Sequence, residues 1–309
     1  MSIVSSVKGS NLSRWRLFAV CLFLIGCVTH SVDISILIGQ PAPFILLAFT
    51  SLLLSIVRSN PYLAAIAMTI LLMKPQLSIA LAAIGLLIPS LRGPTVVAGT
   101  ATGALALFGL GFESPVQNFL AFLNNISLYN TLPENWPIHM SGPDFLLAVI
   151  GLNAPNAFVW VGVSVAASMV AAFYVARRPP NLQNPDIVAA LVLFSAVATV
   201  FIMPTHNFDF LMITPALCFV IRYAQMRMVG LVGLFLVARS MSFSVVTEEF
   251  IFEEKASLVG LYDTIGSGLL LFYCGWILWR LCGAHSSENQ LRVSLSDSAI
   301  DSAAVASSK

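Results

Sequence analysis

Three short stretches of this chain place residues capable of chemistry in apolar surroundings. The first, Met73-Lys74-Pro75-Gln76, stands where apolar run 61–73 gives way to run 77–91. Thirteen residues make a helix of about 20 Å, too short to cross a bilayer alone. Proline at 75 removes a backbone donor and drives Lys74 out of helical geometry. The spacing therefore predicts two short helices meeting at a polar break. An ammonium facing lipid at such a break costs about 2.5–3.5 kcal/mol on insertion scales. Lys74 should then face an aqueous cavity or an anionic partner, with Gln76 as a polar neighbour. Snorkelling to the headgroups is the alternative.

The second stretch is Pro204-Thr205-His206-Asn207-Phe208-Asp209, between apolar runs 186–203 and 209–222. If the chain is helical after Pro204, His206 and Asp209 share a face at i, i+3. A carboxylate beside an imidazole can act as base and orienter, and the same residues fit a helix-start cap. The third feature is Arg239, inside run 228–246, with Asp263 inside run 257–279. Antiparallel neighbours would bring these two to about the same depth, as a buried ion pair or with Arg239 free to hold a lipid phosphate. An early turn adds Asp33 and then Gly39-Gln40. Asp33 is a candidate base or a solvated turn carboxylate. No two of the four histidines have metal-ligand spacing, and His139 and His285 receive no role. Cys21, Cys27, Cys218, Cys274 and Cys282 form no Cys-x-x-Cys pair, so neither a zinc site nor a disulfide framework is expected.

The elements that must position these residues are apolar nearly throughout. Of 309 residues, 58% are hydrophobic and 9% charged, against about 45–50% and about 25% in soluble domains. A soluble globule could not cover its surface with so few charges. A cytosolic enzyme, a disordered chain and a nucleic-acid binder, which needs a basic patch, are excluded. Ten hydrophobic segments can be marked: 17–36, 41–57, 61–73, 77–91, 94–112, 145–176 (broken near Pro155), 186–203, 209–222, 228–246 and 257–279. The expected fold class is an all-α polytopic transmembrane bundle. It follows a cytoplasmic segment 1–16, occupies 17–280, and precedes a serine-rich, disordered tail at 281–309. The first segment lacks an A-x-A-like cleavage site and reads as a retained span. In 113–144, Val116, Phe119, Leu120 and Leu123 follow helical spacing, as in a short interfacial or capping helix.

If each segment crosses once from a cytoplasmic N-terminus, the inner ends carry Lys8, Arg14, Arg16, Arg58, Arg92, Arg177, Arg178, Arg222, Arg227 and Arg280. Arg292 and Lys309 in the tail join them, leaving only Lys74 and Lys255 outside. This is a strong positive-inside bias. It predicts an inner-membrane protein with both termini cytoplasmic and its polar chemistry at the outer face.

Gly39-Gln40 opening a span, Lys74-Pro75-Gln76 between short apolar runs, and Pro204 to Asp209 before an apolar helix recur here in order. Together with the region Trp136 to Leu152, they resemble the polyprenyl-phosphate-mannose-dependent mannosyltransferases, glycosyltransferase family 87, across roughly residues 36–280. The resemblance implies a GT-C-type enzyme moving a hexose, mannose by analogy, from a polyprenyl-phosphate donor to a lipid-linked or envelope acceptor. It implies no cofactor and no metal. Lys74, Gln76, Gln40, His206 and Arg239 would bind substrate, with Lys74 and Arg239 on the phosphate. The family's upstream span and its loop aspartate find no counterpart before Gly39, so the base role falls to Asp209 or Asp33. Thr205 and Phe208 stand where tyrosines are expected. Two other classes fit the same features: a transporter or flippase for an anionic substrate, and a non-catalytic relative.

Overall fold

Proline and asparagine punctuate the apolar sequence, and the helices follow that punctuation. The computed structural model describes residues 41–110, 114, 116–118, 120–121, 124, 140–204, 207–223, 226–247 and 260–283. Among these residues the chain is helical, without strands. Its helices are α1 (Ala42–Arg58), α2 (Pro61–Leu72), α3 (Pro75–Leu87), α4 (Pro89–Leu110) and α5 (Pro143–Val149). They continue with α6 (Ala157–Ala176), α7 (Pro185–Ile202), α8 (Ala216–Arg222), α9 (Arg227–Thr247) and α10 (Gly260–Gly283). Two 3-10 turns, Pro179–Gln183 and Asn207–Ile213, flank α7.

Proline stands in the first turn of α2, α3, α5 and α7, where its missing N–H is not needed and its fixed φ suits the helix. Asn60 caps α2 by accepting from the Leu63 N–H, and Asn184 caps α7 through Asp186 and Ile187. Apart from segment 17–36, which lies outside the described residues, the expected segments match these helices to within a few residues, with one difference. Segment 209–222 opens as a 3-10 turn before α8. Segment 145–176 is broken into two helices as expected, across a stretch that holds Pro155 and a turn with Gly151 at φ +75°, a left-handed backbone that glycine adopts without steric penalty. Helix α10 runs to Gly283, three residues past the expected end of the bundle. Residues 116–118, 120–121 and 124 are helical, with Val116 and Leu120 exposed. The N-terminal segment and the tail beyond Gly283 lie outside the described residues.

Three described helices are long and apolar enough to cross a membrane: α6, α7 and α10. Their 20, 18 and 24 residues span about 27–36 Å at 1.5 Å each. They use that length differently. Helix α7 is the pillar of the bundle, with 78% of its residues inside the protein, whereas 22% of α6 is buried. The buried residues of α6 are Ser164, Ser168, Ala172 and Val175, and its two serines and alanine let helix backbones approach closely. The outer surface is correspondingly apolar: Phe44, Leu54, Phe108, Phe158, Phe173 and Trp279 are all exposed. An exposed apolar surface of this extent belongs against lipid.

Contacts between distant parts of the chain join like ends of helices. The start of α3 meets the turn after α7 through Lys74 and Asp209. The Gly142 N–H, just before α5, donates to Thr264 in the first turn of α10. At the opposite end Arg222 of α8 pairs with Asp186 of α7, and Arg178 after α6 donates to the Cys282 carbonyl of α10. Helices α9 and α10 cross where glycines remove any side-chain spacer. A Cβ on Gly233 would lie 2.9 Å from the Gly266 carbonyl oxygen, and one on Gly266 2.9 Å from that of Gly233.

Candidate functional site

Lys74 stands at the start of α3 with a non-helical backbone, φ −120° and ψ 76°, since the following proline disfavours helical geometry there. Its carbonyl accepts from the Leu77 N–H and from Ser78 Oγ at 3.1 Å, which pins the break to the first turn of α3. The side chain turns inward and only 7% of the residue is exposed. Its Nζ donates to Asp209 Oδ1. Snorkelling is therefore not the outcome. The ammonium sits within the protein against an anion supplied by the chain itself.

Asp209 reaches that position because Pro204 ends the preceding helix and the chain re-enters as a 3-10 turn. Helix α7 stops at Ile202, and Phe210, Leu211, Met212 and Ile213 anchor the turn in the core at 0–1% exposure. The turn packs against α1, α7 and α9. Asp209, 6% exposed, is left facing α3. Its carboxylate thus engages the lysine, a role beyond that of a helix-start cap. A buried charge without a partner would be costly, and each of these two groups removes that penalty from the other.

A second carboxylate occupies the same end of the bundle. Asp144, in the first turn of α5, accepts a hydrogen bond from the indole Nε1–H of Trp160 in the first turn of α6. Burial pushes this carboxyl above the usual carboxylate range, and the Trp160 hydrogen bond partly offsets the rise. The backbone at Gly142 has φ +78°, and a Cβ there would strike the Phe201 carbonyl oxygen at the end of α7. Only glycine fits. This close approach ties α5 to the end of α7 from which the Asp209 turn emerges. The Asp144–Trp160 pair escaped the sequence reading. Its available signals were Gly142-Pro143-Asp144 as a helix start and a tryptophan one turn into an apolar run.

The remaining sequence-derived candidates are less tightly placed. Gln76 is exposed in the first turn of α3. Arg239 lies in α9, and its side chain is outside the described residues, as are Asp33, Gln40 and His206. The helix register does bear on Arg239. Gly266 meets Leu236 and Val237 while Gly230 meets Tyr273, so the antiparallel register sets residue 239 opposite residues 260–264. Asp263 lies within that stretch and is 2% exposed; its backbone carbonyl accepts from Ser267 Oγ at 2.6 Å.

The arrangement offers one amine, one carboxylate bound to it and one carboxyl bound to an indole, gathered where α3, α5, α6 and α7 begin or end. Such a group can bind an anion and move a proton. The chain matches no protein-family description, no curated protein and no solved structure.

Proposed function

We propose that this protein is a polytopic membrane glycosyltransferase of GT-C type. It would transfer a hexose, mannose by resemblance to glycosyltransferase family 87, from a polyprenyl-phosphate donor to a lipid-linked or envelope acceptor. The observation that carries the reading is the buried Lys74–Asp209 pair at a double helix break. In this scheme the ten segments form an inner-membrane bundle, both termini are cytoplasmic, and the Lys74 end faces outward.

The chemistry uses the pair twice. A donor phosphate competes with Asp209 for the Lys74 ammonium, and its arrival releases the carboxylate. Asp209 then accepts the proton of the acceptor hydroxyl as that oxygen attacks the anomeric carbon. The bond from that carbon to the phosphate oxygen breaks, and polyprenyl phosphate leaves with its charge held by Lys74. His206, Gln76, Gln40 and Arg239 assist binding, and Asp33 is the second candidate base.

The test is transfer of radiolabel from polyprenyl-phosphate-mannose by purified protein, with Lys74→Ala and Asp209→Asn as comparisons. Labelled glycolipid product should form with wild type and be lost in both variants. Undiminished transfer by both would discard the site. A second reading draws on the same broken helices, which also mark midplane substrate sites in secondary transporters. A transporter for an anionic substrate would accumulate label inside vesicles with no covalent product.

A further inference from the structure

The opposite end of the bundle holds a cavity of about 380 Å³ between the end of α1, the starts of α2, α4 and α7, and the 3-10 turn at Pro179–Gln183. Its polar wall carries Ser59, Asn60, Ser90 and Gln183. The Asn60 carbonyl oxygen is taken by the Leu63 N–H, which leaves its amide N–H₂ as a donor. No acidic residue lines the cavity among the described residues. The nearest carboxylate along the chain, Asp186, is held by Arg222 at 2.7 Å.

Two arginines stand next to lining residues in the chain. Arg58 immediately precedes Ser59 and Arg92 immediately follows the lining residue Leu91. Arg58 has no ionic or hydrogen-bonding partner among the described residues. Arg92 donates through Nε to the Leu86 carbonyl at 2.9 Å, so its two terminal nitrogens remain to be used. Guanidinium groups beside hydroxyl and amide donors are the chemistry of phosphate recognition. The rest of the wall is aliphatic, with Ile56, Leu182 and Val188 among its residues, and it would be poorly matched to a small, fully hydrated anion.

We propose that this cavity binds the phosphate headgroup of an anionic phospholipid. The phosphate would sit among Arg58, Arg92, Asn60 and Gln183, and the first carbons of the lipid chains would lie on Ile56, Leu182 and Val188. The inference borrows only the membrane setting from the proposed function. It concerns the end of the bundle away from Lys74 and Asp209.

The test is a titration of the full-length protein in neutral detergent with water-soluble dioctanoyl phosphatidylglycerol and dioctanoyl phosphatidylcholine, read by native mass spectrometry. Phosphatidylglycerol should bind about tenfold or more tighter, in keeping with two arginines near an anionic headgroup. Arg58→Gln/Arg92→Gln should erase that preference. Gln183→Leu, which keeps every arginine, should reduce it and serves as the test if the double variant does not fold. Arg177→Gln/Arg280→Gln, with the same charge change at the same end, should leave it intact. Persistence of the preference in Arg58→Gln/Arg92→Gln, or equal loss in the charge-matched pair, overturns the site. Displacement of the lipid by equimolar inorganic phosphate assigns the cavity to a soluble phosphate and overturns the lipid reading. Lys74→Met/Asp209→Leu should retain the preference even where glycosyl transfer is lost, so the two proposals fail separately.

Discussion

Replacing Lys74 by methionine leaves the Asp209 carboxylate buried with its amine gone. Both side chains are largely withdrawn from solvent, at 8% and 6% exposure. Removing one member of such a pair destabilises by about 3–5 kcal/mol, whereas replacing both by apolar groups of similar volume is close to neutral or stabilising. Lys74→Met and Asp209→Leu should each therefore lower stability by about 3–5 kcal/mol. The double variant should return to within about 1 kcal/mol of wild type, a strongly non-additive cycle. The exposed pair Arg222–Asp186, at 54% and 39%, supplies the contrast. Asp186→Asn should cost less than about 1 kcal/mol, because water screens that pair. The assay is unfolding in mixed micelles of dodecyl sulfate and mild detergent, followed by helical circular dichroism. Single variants at Lys74 and Asp209 that unfold like Asp186→Asn would refute the burial argument. So would a double variant as unstable as the sum of its parts. A double variant that folds like wild type and transfers no sugar would show that the pair serves function rather than stability.

Gly233→Ala and Gly266→Ala should each cost about 1–3 kcal/mol by overpacking, since their Cβ atoms would press on backbone oxygen. Gly162→Ala in α6, with nothing within 4 Å of the added carbon, should stabilise by up to about 1 kcal/mol through helix propensity, and thermal midpoints separate the cases. Asp144 has a folded-state pKa above its unfolded value, so its contribution is fully present below the unfolded pKa and is lost as pH rises through the folded one. The unfolding midpoint should fall over that window in wild type and lose this component in Asp144→Asn. Trp160→Phe removes the hydrogen bond that lowers the pKa and should move the fall to higher pH. For orientation, single cysteines at Ser59 and Gly151 lie at opposite ends of the bundle. In right-side-out vesicles an impermeant maleimide should label the Gly151→Cys protein and spare Ser59→Cys.

The helices were legible because proline and asparagine bound each apolar run, as Asn60-Pro61 and Asn184-Pro185 show. That Lys74 needs either an aqueous cavity or an anionic partner was legible as well, from the expense of an ammonium among apolar residues. Which anion was not. Asp209 lies 135 positions away, and its approach depends on how the Asn207–Ile213 turn wedges between α1, α7 and α9. Helical spacing offered His206 as its neighbour instead, and the turn is described only from Asn207 onward, so His206 lies outside the described residues. Asp144 was hidden for a different reason. Its partner Trp160 lies across the break between α5 and α6, and local spacing does not carry how the turn at Gly151 brings the two helix starts together.

Helix α7 carries one further consequence, for biogenesis. Its mature surroundings are mostly protein, yet it is long and apolar enough to cross a bilayer, and a helix that crosses must first partition into the bilayer on its own apolarity. Two selections therefore fall on the same eighteen positions. The insertion machinery accepts any greasy side chain, while the finished assembly tolerates only narrow ones where Ala189, Ala190, Ala196 and Ala198 let neighbours close in. Leucine at those alanines should leave membrane integration untouched and arrest the protein afterwards, as an inserted chain whose other helices cannot gather around their axis.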